Sequence, residues 1–357
     1  MQRFACGNCG HDIYFENVRC ERCGHALGFD PERMNMIALS AQNGGAMHTI
    51  GEFPRRRSMH YCANSYYAVC NWLTPADEPG LCRACQLNRT IPDLSIPDNV
   101  VAWGEIERAK KRLVYSLLRL GLPVEGGDGK APVIFDFLAN ATTGHLNGVI
   151  TIDIAEADAV QRELQRASLD ERYRSVLGHM RHESGHYYWM RLVDGSRWHE
   201  PFRRVFGDER ADYASALARH RQEGAPGDWM QRHVSAYAGA HPWEDWAETW
   251  AHYLHVVDAL DTAIALGAVH RRWRSGSWFS ELDAYRARDI GQIVDRWIPL
   301  ALAMNGLSRS MGHIDFYPFV ITPTVTEKLG FVHRVVVAER EKSARRGASV
   351  RAAAASG

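Results

Sequence analysis

Apolar side chains recur at helical spacing in the first long patterned segment, residues 101–120. Ile106, Leu113 and Leu117 lie seven and four positions apart, a spacing that places them on one face of a helix. Gly121 follows, and glycine commonly ends a helix. The pattern therefore predicts a helix over residues 101–120.

Two later segments have the composition of β-strands. Residues 132–138 and 148–154 are rich in Val, Ile and Phe, which favour strands. Residues 144–148 contain two glycines and predict a turn before the second strand. These segments predict a small β-sheet.

Helical patterns dominate the rest of the chain. They predict helices over residues 155–169, 171–193, 201–220, 242–266 and 280–303. The end of the chain, residues 337–357, is rich in Ala, Arg and Ser and low in complexity, which predicts a disordered tail. The order of elements indicates an α+β protein that is mostly helical.

The composition is that of an ordinary globular protein. The 357 residues suffice for two or three domains, and 46% are apolar. Lys plus Arg and Asp plus Glu both total 42, so no basic field attracts nucleic acid or an anionic membrane. No apolar run approaches the roughly 20 residues that cross a bilayer. The first cysteines lie where the apolar core of a signal peptide would be, so we expect a cytoplasmic protein.

The eight cysteines form two sets of four, and in a reducing compartment such sets favour metal binding over disulfides. The first set consists of two Cys-x-x-Cys-Gly knuckles, with cysteines at Cys6, Cys9, Cys20 and Cys23. Four thiolates close a tetrahedral zinc site with no vacant position, so this zinc is structural. A segment this short needs the metal in order to fold.

The second set is less regular. It comprises Cys62, Cys70, Cys82 and Cys85, of which only the last two form a standard knuckle. His60 could replace one cysteine, and the set could also be two free buried thiols together with a chance pair. We expect a second structural zinc here, and a module that can dock a protein partner.

The candidate for catalysis is a His-Glu-x-x-His motif in the predicted helix over residues 171–193. His182 and His186 lie four residues apart on one helix face and can bind one zinc ion. Glu183 can act as general base toward a water on the open position. Gly185 would leave room beside the ion. A chance match to five residues is the simplest alternative.

A catalytic zinc needs a third protein ligand, and the helix predicted over residues 242–266 offers two. Glu244 and Glu248 share a helix face, so one can bind the metal while the other hydrogen-bonds a ligating histidine. Three acids nearer the motif are rival ligands, and three histidines could line the cleft. The rivals are Asp208, Glu209 and Asp212, and the histidines are His241, His252 and His255.

These motifs resemble the gluzincin class of zinc metallopeptidases. The resemblance implies that Glu244 is the third ligand, that Glu248 supports the site, and that Tyr237, seven residues before Glu244, stabilises the oxyanion. Zincin folds place an edge strand beside the cleft, and residues 148–154 are the candidate.

The whole chain is also similar to a bacterial family of zinc-binding metallopeptidases with an N-terminal zinc ribbon. The similarity extends over residues 1–336, and its motifs lie at residues 69–77, 81–93, 178–189, 206–209 and 241–255. It implies a zinc-ribbon module with two four-cysteine sites over residues 1–92 and a zincin-like domain over 93–336.

The expected function is zinc-dependent hydrolysis of peptide bonds, with one catalytic and two structural zinc ions. A peptide or protein is then the substrate. Two alternatives remain: a zinc-stabilised module that binds protein or nucleic acid and carries a vestigial His-Glu-x-x-His site, or a zinc hydrolase of non-peptide amides. The neutral net charge argues against nucleic acid.

Overall fold

The computed structural model describes residues 2–41, 46–51, 57–127, 129–162, 175–268 and 282–355. Within them, the protein has the α+β fold that the sequence predicts. Cysteine-bearing loops and two sheets precede a mostly helical second half. The strands, β1 to β11 in chain order, are Phe4–Ala5, Asp12–Ile13, Ala26–Asp30, Asn35–Ala41, Met47–Ile50, Ser58–Tyr61, Leu73–Pro75, Asn88–Thr90, Ile134–Leu138, Gly144–Leu146 and Val149–Asp153.

The N-terminal region contains a sheet that the sequence did not predict. Strands β3 to β7 pair in chain order as an antiparallel five-stranded sheet. Strands β1 and β2 form a separate short hairpin on either side of the first cysteine knuckle, Cys6 and Cys9. The cysteine module is therefore a β-structure with metal-ligand loops at its ends.

The second sheet has the order β10-β11-β9-β8 and confirms the two strands predicted over residues 132–138 and 148–154. The edge-strand prediction was wrong, because β10 lies at the edge and β11 lies inside the sheet. Asn147 and Gly148 both have positive φ and form a two-residue hairpin turn of the kind that Asn-Gly favours. The residues before them, predicted as part of the turn, are strand β10.

Eight α-helices, α1 to α8, have their bounds within the described residues, and residues 159–162 are helical as well. Their bounds are Pro97–Leu120, Val176–Tyr188, His199–Phe206, Tyr213–Glu223, Trp229–Arg232, Pro242–Ala265, Ile290–Ser310 and Pro323–Ala355. Helices α1 and α6 confirm the predictions over residues 101–120 and 242–266.

Other helix predictions need correction. The segment predicted over 171–193 is α2 followed by a π-helical turn at Trp189–Val193, and residues 171–174 lie outside the described residues. The helix predicted over 201–220 is two helices, α3 and α4, because Gly207 has φ 105°, which is not a helical conformation and ends α3. The helix predicted over 280–303 begins only at Ile290.

In the helix predicted over residues 155–169, a 3₁₀ turn at Ile154–Ala157 comes first, and residues 159–162 are α-helical as predicted. Residues 163–169 lie outside the described part of the chain. The predicted disordered tail was also wrong, because α8 continues to Ala355. Residues 337–355 are rich in Ala and Arg, which have high helix propensities, so low complexity here accompanies a helix rather than disorder.

Helices α2 and α6 pack closely against each other at the centre of the second half. A Cβ atom at Gly185 would lie 2.9 Å from the Cα of Ala247. Trp246 and Trp250 of α6 donate indole hydrogen bonds to the Gly185 carbonyl and the Ser184 hydroxyl, at 2.8 and 3.0 Å. Gly185 therefore permits close helix packing, which corrects the expectation that it leaves room beside an ion.

One hydrophobic core joins the two predicted domains. Phe15 of the cysteine module packs against Tyr115 of α1, with ring centroids 5.4 Å apart. Strand β8, which precedes the predicted boundary at residue 92, pairs with β9. No helix in the described residues is both long enough and apolar enough to span a membrane.

Candidate functional site

The two histidines of the motif lie on α2, whose start is fixed by its cap. The Ser175 hydroxyl accepts a hydrogen bond from the backbone N–H of Gly178 at 3.0 Å, which satisfies one of the free donors at the helix N-terminus. His182 and His186 follow on one face, with ring centroids 4.9 Å apart. Both are nearly buried.

Glu244 brings the third donor group to these histidines from the first turn of α6. The helix begins at Pro242, with the side chain of His241 as its cap. One ligand atom from each of His182, His186 and Glu244 lies within 4.8 Å of the others. The structure therefore brings together the three residues of the predicted ligand set.

The contacts within this group fit a metal ion. The Nε2 atom of His182 and the Oε2 atom of Glu244 are 3.0 Å apart, yet among the described residues Oε2 is buried without a hydrogen-bond partner. Nδ1 of His186 is also buried and unpartnered there. Buried polar atoms without partners are costly, and a shared cation would satisfy the carboxylate. Two imidazoles and a carboxylate are donors that suit zinc.

Glu248 lies one turn further along α6 and contacts the other nitrogen of His182. Its Oε1 atom is 2.6 Å from Nδ1 of His182, and its Oε2 accepts a hydrogen bond from the Ser235 hydroxyl. Burial raises the pKa of Glu248, but the interactions with His182 and Ser235 outweigh it and bring the pKa to about 2. An ionised Glu248 can accept a hydrogen bond from Nδ1 of His182, a contact that would orient the ring with Nε2 toward Glu244.

Glu183 lies beside the ligand group and is 5% exposed. Its Oε1 is 3.6 Å from Nε2 of His179, whose Nδ1 is 2.9 Å from Glu156. His179 precedes Glu183 by four residues, so helical spacing could have pointed to this contact. Besides burial, the charge of Glu183 contributes to the raised pKa of Tyr213 and of Tyr237, so the Glu183 carboxylate lies near both phenols.

Two tyrosines approach the same group. The Tyr237 ring lies 5.9 Å from the His182 ring, and its hydroxyl makes no hydrogen bond to a described residue. The Tyr213 hydroxyl donates a hydrogen bond to Oε1 of Glu244 at 2.7 Å. Burial, reinforced by the Glu244 charge, raises the pKa of both phenols, so both are neutral donors.

Sequence reasoning missed Tyr213 and Ser235. Tyr213 directly follows the rival acids, and Ser235 lies two residues before Tyr237. Neither has a spacing that indicates its partner, because both contacts form between segments that only the fold brings together.

The rival ligands have other partners. Asp208 forms an ion pair with Arg210 at 2.7 Å. Glu209 accepts hydrogen bonds from Arg203 and lies 2.8 Å from Nε2 of His199. Asp212 caps α4 by accepting from the Ser215 backbone at 2.6 Å. These contacts favour Glu244 as the third ligand over the three acids.

The three histidines proposed for the cleft are packed in structural contacts. His241 caps α6 through Nδ1, and its Nε2 lies 3.0 Å from the Ala211 carbonyl. His252 lies 2.7 Å from the Tyr317 hydroxyl, and His255 lies 2.6 Å from the guanidinium of Arg181.

Both cysteine sets form compact groups with the dimensions of zinc sites. Sulfur pairs lie 3.7 Å apart at Cys6–Cys23, Cys9–Cys20 and Cys70–Cys82. Four zinc–sulfur bonds of about 2.3 Å in a tetrahedron place sulfurs about 3.8 Å apart. The described cysteines are free of disulfides.

The second set assembles from its four cysteines without His60. All four are buried. Lys110 of α1 is also fully buried. Burial lowers the pKa of Lys110, but the charges of the Glu107 carboxylate and of the Cys85 and Cys82 sulfurs outweigh it and raise that pKa. A cation at this place offsets the negative charge of a four-thiolate site.

Comparisons with known proteins match this two-part chain. Residues 3–96 match a zinc-ribbon domain family, and residues 99–335 match a family described as "Putative zinc-binding metallo-peptidase". An uncharacterized protein of Mycobacterium bovis and two from strains of Mycobacterium tuberculosis are each 42% identical over 344 residues, or 94% of this chain and 95% of the relative. No solved structure matches the chain. The chain therefore belongs to the zinc-binding metallo-peptidase family and carries a zinc-ribbon domain at its N-terminal end.

Proposed function

We propose that this protein is a zinc-dependent peptidase of the gluzincin class, with His182, His186 and Glu244 as ligands of the catalytic metal. The observation that carries the proposal is the convergence of these three buried side chains within 4.8 Å, with Glu183 beside them. Two further zinc ions, in the four-cysteine groups, are structural.

Zinc in this site supplies Lewis acidity, which lowers the pKa of water and polarises a carbonyl group. Glu183 accepts the proton of the attacking water and returns it to the departing amine nitrogen. Glu248 fixes the orientation and tautomer of His182 through the 2.6 Å contact.

Tyr237 is the proposed oxyanion donor. Its hydroxyl is not committed to a described residue, and its raised pKa keeps it protonated. A hydrogen bond that strengthens as charge develops on the substrate oxygen lowers the barrier of the chemical step.

The general base is tested by Glu183→Gln. The amide cannot accept the proton, so we expect peptide hydrolysis to be lost while the zinc content stays that of the wild type. A peptide library analysed by mass spectrometry for new termini measures the activity. Glu105→Gln, an exposed carboxylate on α1, is the control and should cleave normally. Hydrolysis retained in Glu183→Gln would refute the assignment.

The metal site is tested by counting zinc. We expect three zinc ions per chain in the wild type and two in His182→Ala, because the cysteine sites are independent of α2. The exposed His313→Ala serves as control and should keep all three. An unchanged count in His182→Ala means that His182 is not a metal ligand.

A further inference from the structure

The carboxylate of Glu244 is asymmetric in its surroundings. Oε1 accepts a hydrogen bond from the Tyr213 hydroxyl at 2.7 Å, whereas among the described residues Oε2 has no hydrogen-bond partner although it is buried. Oε2 is also the oxygen that lies 3.0 Å from Nε2 of His182. Oε1 in turn lies 3.5 Å from Nε2 of His186, so each oxygen faces one histidine and the hydrogen bond from Tyr213 is what distinguishes them.

This asymmetry matters for how many coordination positions the Glu244 carboxylate would fill at a metal ion. A carboxylate that binds through both oxygens would compete for the position that a catalytic zinc keeps open for water. A hydrogen bond to one oxygen reduces its capacity to act as a second ligand. Oε2 is left as the donor atom.

We propose that Tyr213 is a positioning residue that holds Glu244 in a one-oxygen binding mode and so strengthens zinc binding while keeping a position open. The inference rests on the proposed function, because it concerns the same metal site. The sequence motifs did not indicate that a residue of α4 supports the metal site.

The position of Tyr213 is itself fixed by its neighbours. It is the first residue of α4, whose cap is the side chain of Asp212. The phenol ring packs edge-on against His241 and Trp243, with centroids 5.2 and 5.8 Å away. A ring held by a helix start and two aromatic side chains presents its hydroxyl to Glu244 at little cost in conformational entropy.

Tyr237 offers a matched comparison at the same site. Its ring contacts His182, but its hydroxyl makes no hydrogen bond to Glu244 or another described residue. Removing the hydroxyl from Tyr213 should therefore affect the metal, and removing it from Tyr237 should affect only the reaction.

The experiment measures zinc affinity of the purified full chain by competition with a chelator. The difference between each protein and its His182→Ala counterpart isolates this site from the cysteine sites. We expect Tyr213→Phe to weaken zinc binding by about 10–100-fold, the usual effect of removing a partner of a metal ligand. Tyr237→Phe should keep the wild-type affinity and lower kcat.

A third variant separates the hydroxyl from the helix. Asp212→Ala removes the cap but keeps the phenol, so its loss of zinc affinity should be smaller than that of Tyr213→Phe. A larger loss in Asp212→Ala would place the effect in the helix and overturn the proposal. Wild-type affinity in Tyr213→Phe would overturn it as well.

Failure of the Tyr213 proposal can be distinguished from failure of the proposed peptidase function. A wild type that binds three zinc ions but cleaves no peptide would refute the peptidase, while the affinity of Tyr213→Phe would still decide the role of Tyr213. A wild type with only two zinc ions would refute both.

Discussion

Two glutamates one turn apart on α6 contact different nitrogens of the same histidine. Glu244 faces the Nε2 atom of His182, and Glu248 faces the Nδ1 atom of the same ring. Helical spacing predicted that the two acids share one face of their own helix. Which acid meets which nitrogen depends on the position of α6 against α2, and spacing alone does not contain that information.

An acid proposed from the sequence as a rival ligand should instead stabilise the fold in a pH-dependent way. The hydrogen bonds from Arg203, above all, lower the pKa of Glu209 to about 2, compared with about 4.3 in an unfolded chain. A lowered folded-state pKa gives stability that is present above the unfolded value and is lost as pH falls toward the folded value. Glu209→Gln should therefore lower the free energy of unfolding by about 1.5–3 kcal/mol at neutral pH.

Urea unfolding of wild type and Glu209→Gln at several pH values measures this difference, which should shrink between about pH 5 and pH 2. The control is Glu200→Gln. Glu200 bonds the same Arg203 at 3.0 Å, but its side chain is 74% exposed, and exposed pairs contribute little. A difference for Glu209→Gln that is constant across this range would contradict the argument.

At the scale of elements, the close packing of α2 and α6 connects the proposed metal site to the stability of the fold. Gly185→Ala would place a methyl group 2.9 Å from the Cα of Ala247, so the helices must move apart. Because His182 and His186 lie on one of these helices and Glu244 on the other, we expect a lower melting temperature together with weaker zinc binding.

Gly306→Ala is the control for this prediction. Gly306 lies in α7 with no atom within 4 Å of an added Cβ. Alanine is favoured over glycine inside a helix by about 0.5–1 kcal/mol, so this variant should be at least as stable as the wild type. A melting temperature for Gly185→Ala equal to or above that of the wild type would show that the helix contact tolerates the methyl group.

Helices and strands were predicted correctly where the sequence pattern marks them clearly. Helices α1 and α6 carry proline in the first turn and a long periodic pattern, and both were found. Strand β3 was missed because four of its five residues are buried, so it lacks the alternation that marks a half-buried strand. The break between α3 and α4 was missed because the polar residues 208–212 continue a helix-like composition.

At the scale of the whole molecule, the two cysteine sites differ in how deeply they enter the core. Cys85 is fully buried beside α1, whereas Cys9 is partly exposed. Cys85→Ser and Cys9→Ser should each lose one zinc ion. The melting temperature should fall further in Cys85→Ser, because its site supports the contact between the cysteine module and α1.

Zinc analysis and thermal unfolding monitored by circular dichroism check this prediction, with each variant as the control for the other. A larger fall in melting temperature for Cys9→Ser would mean that the first site, rather than the second, anchors the module.

The pairing of β8 with β9 has a consequence for any shortened form of the protein. Strand β8 lies at the edge of the second sheet and covers β9 with backbone hydrogen bonds. A chain that begins after residue 92 would leave the amide and carbonyl groups of β9 open along that side. Open strands pair readily with other chains, so a chain without its first 92 residues should self-associate through β9.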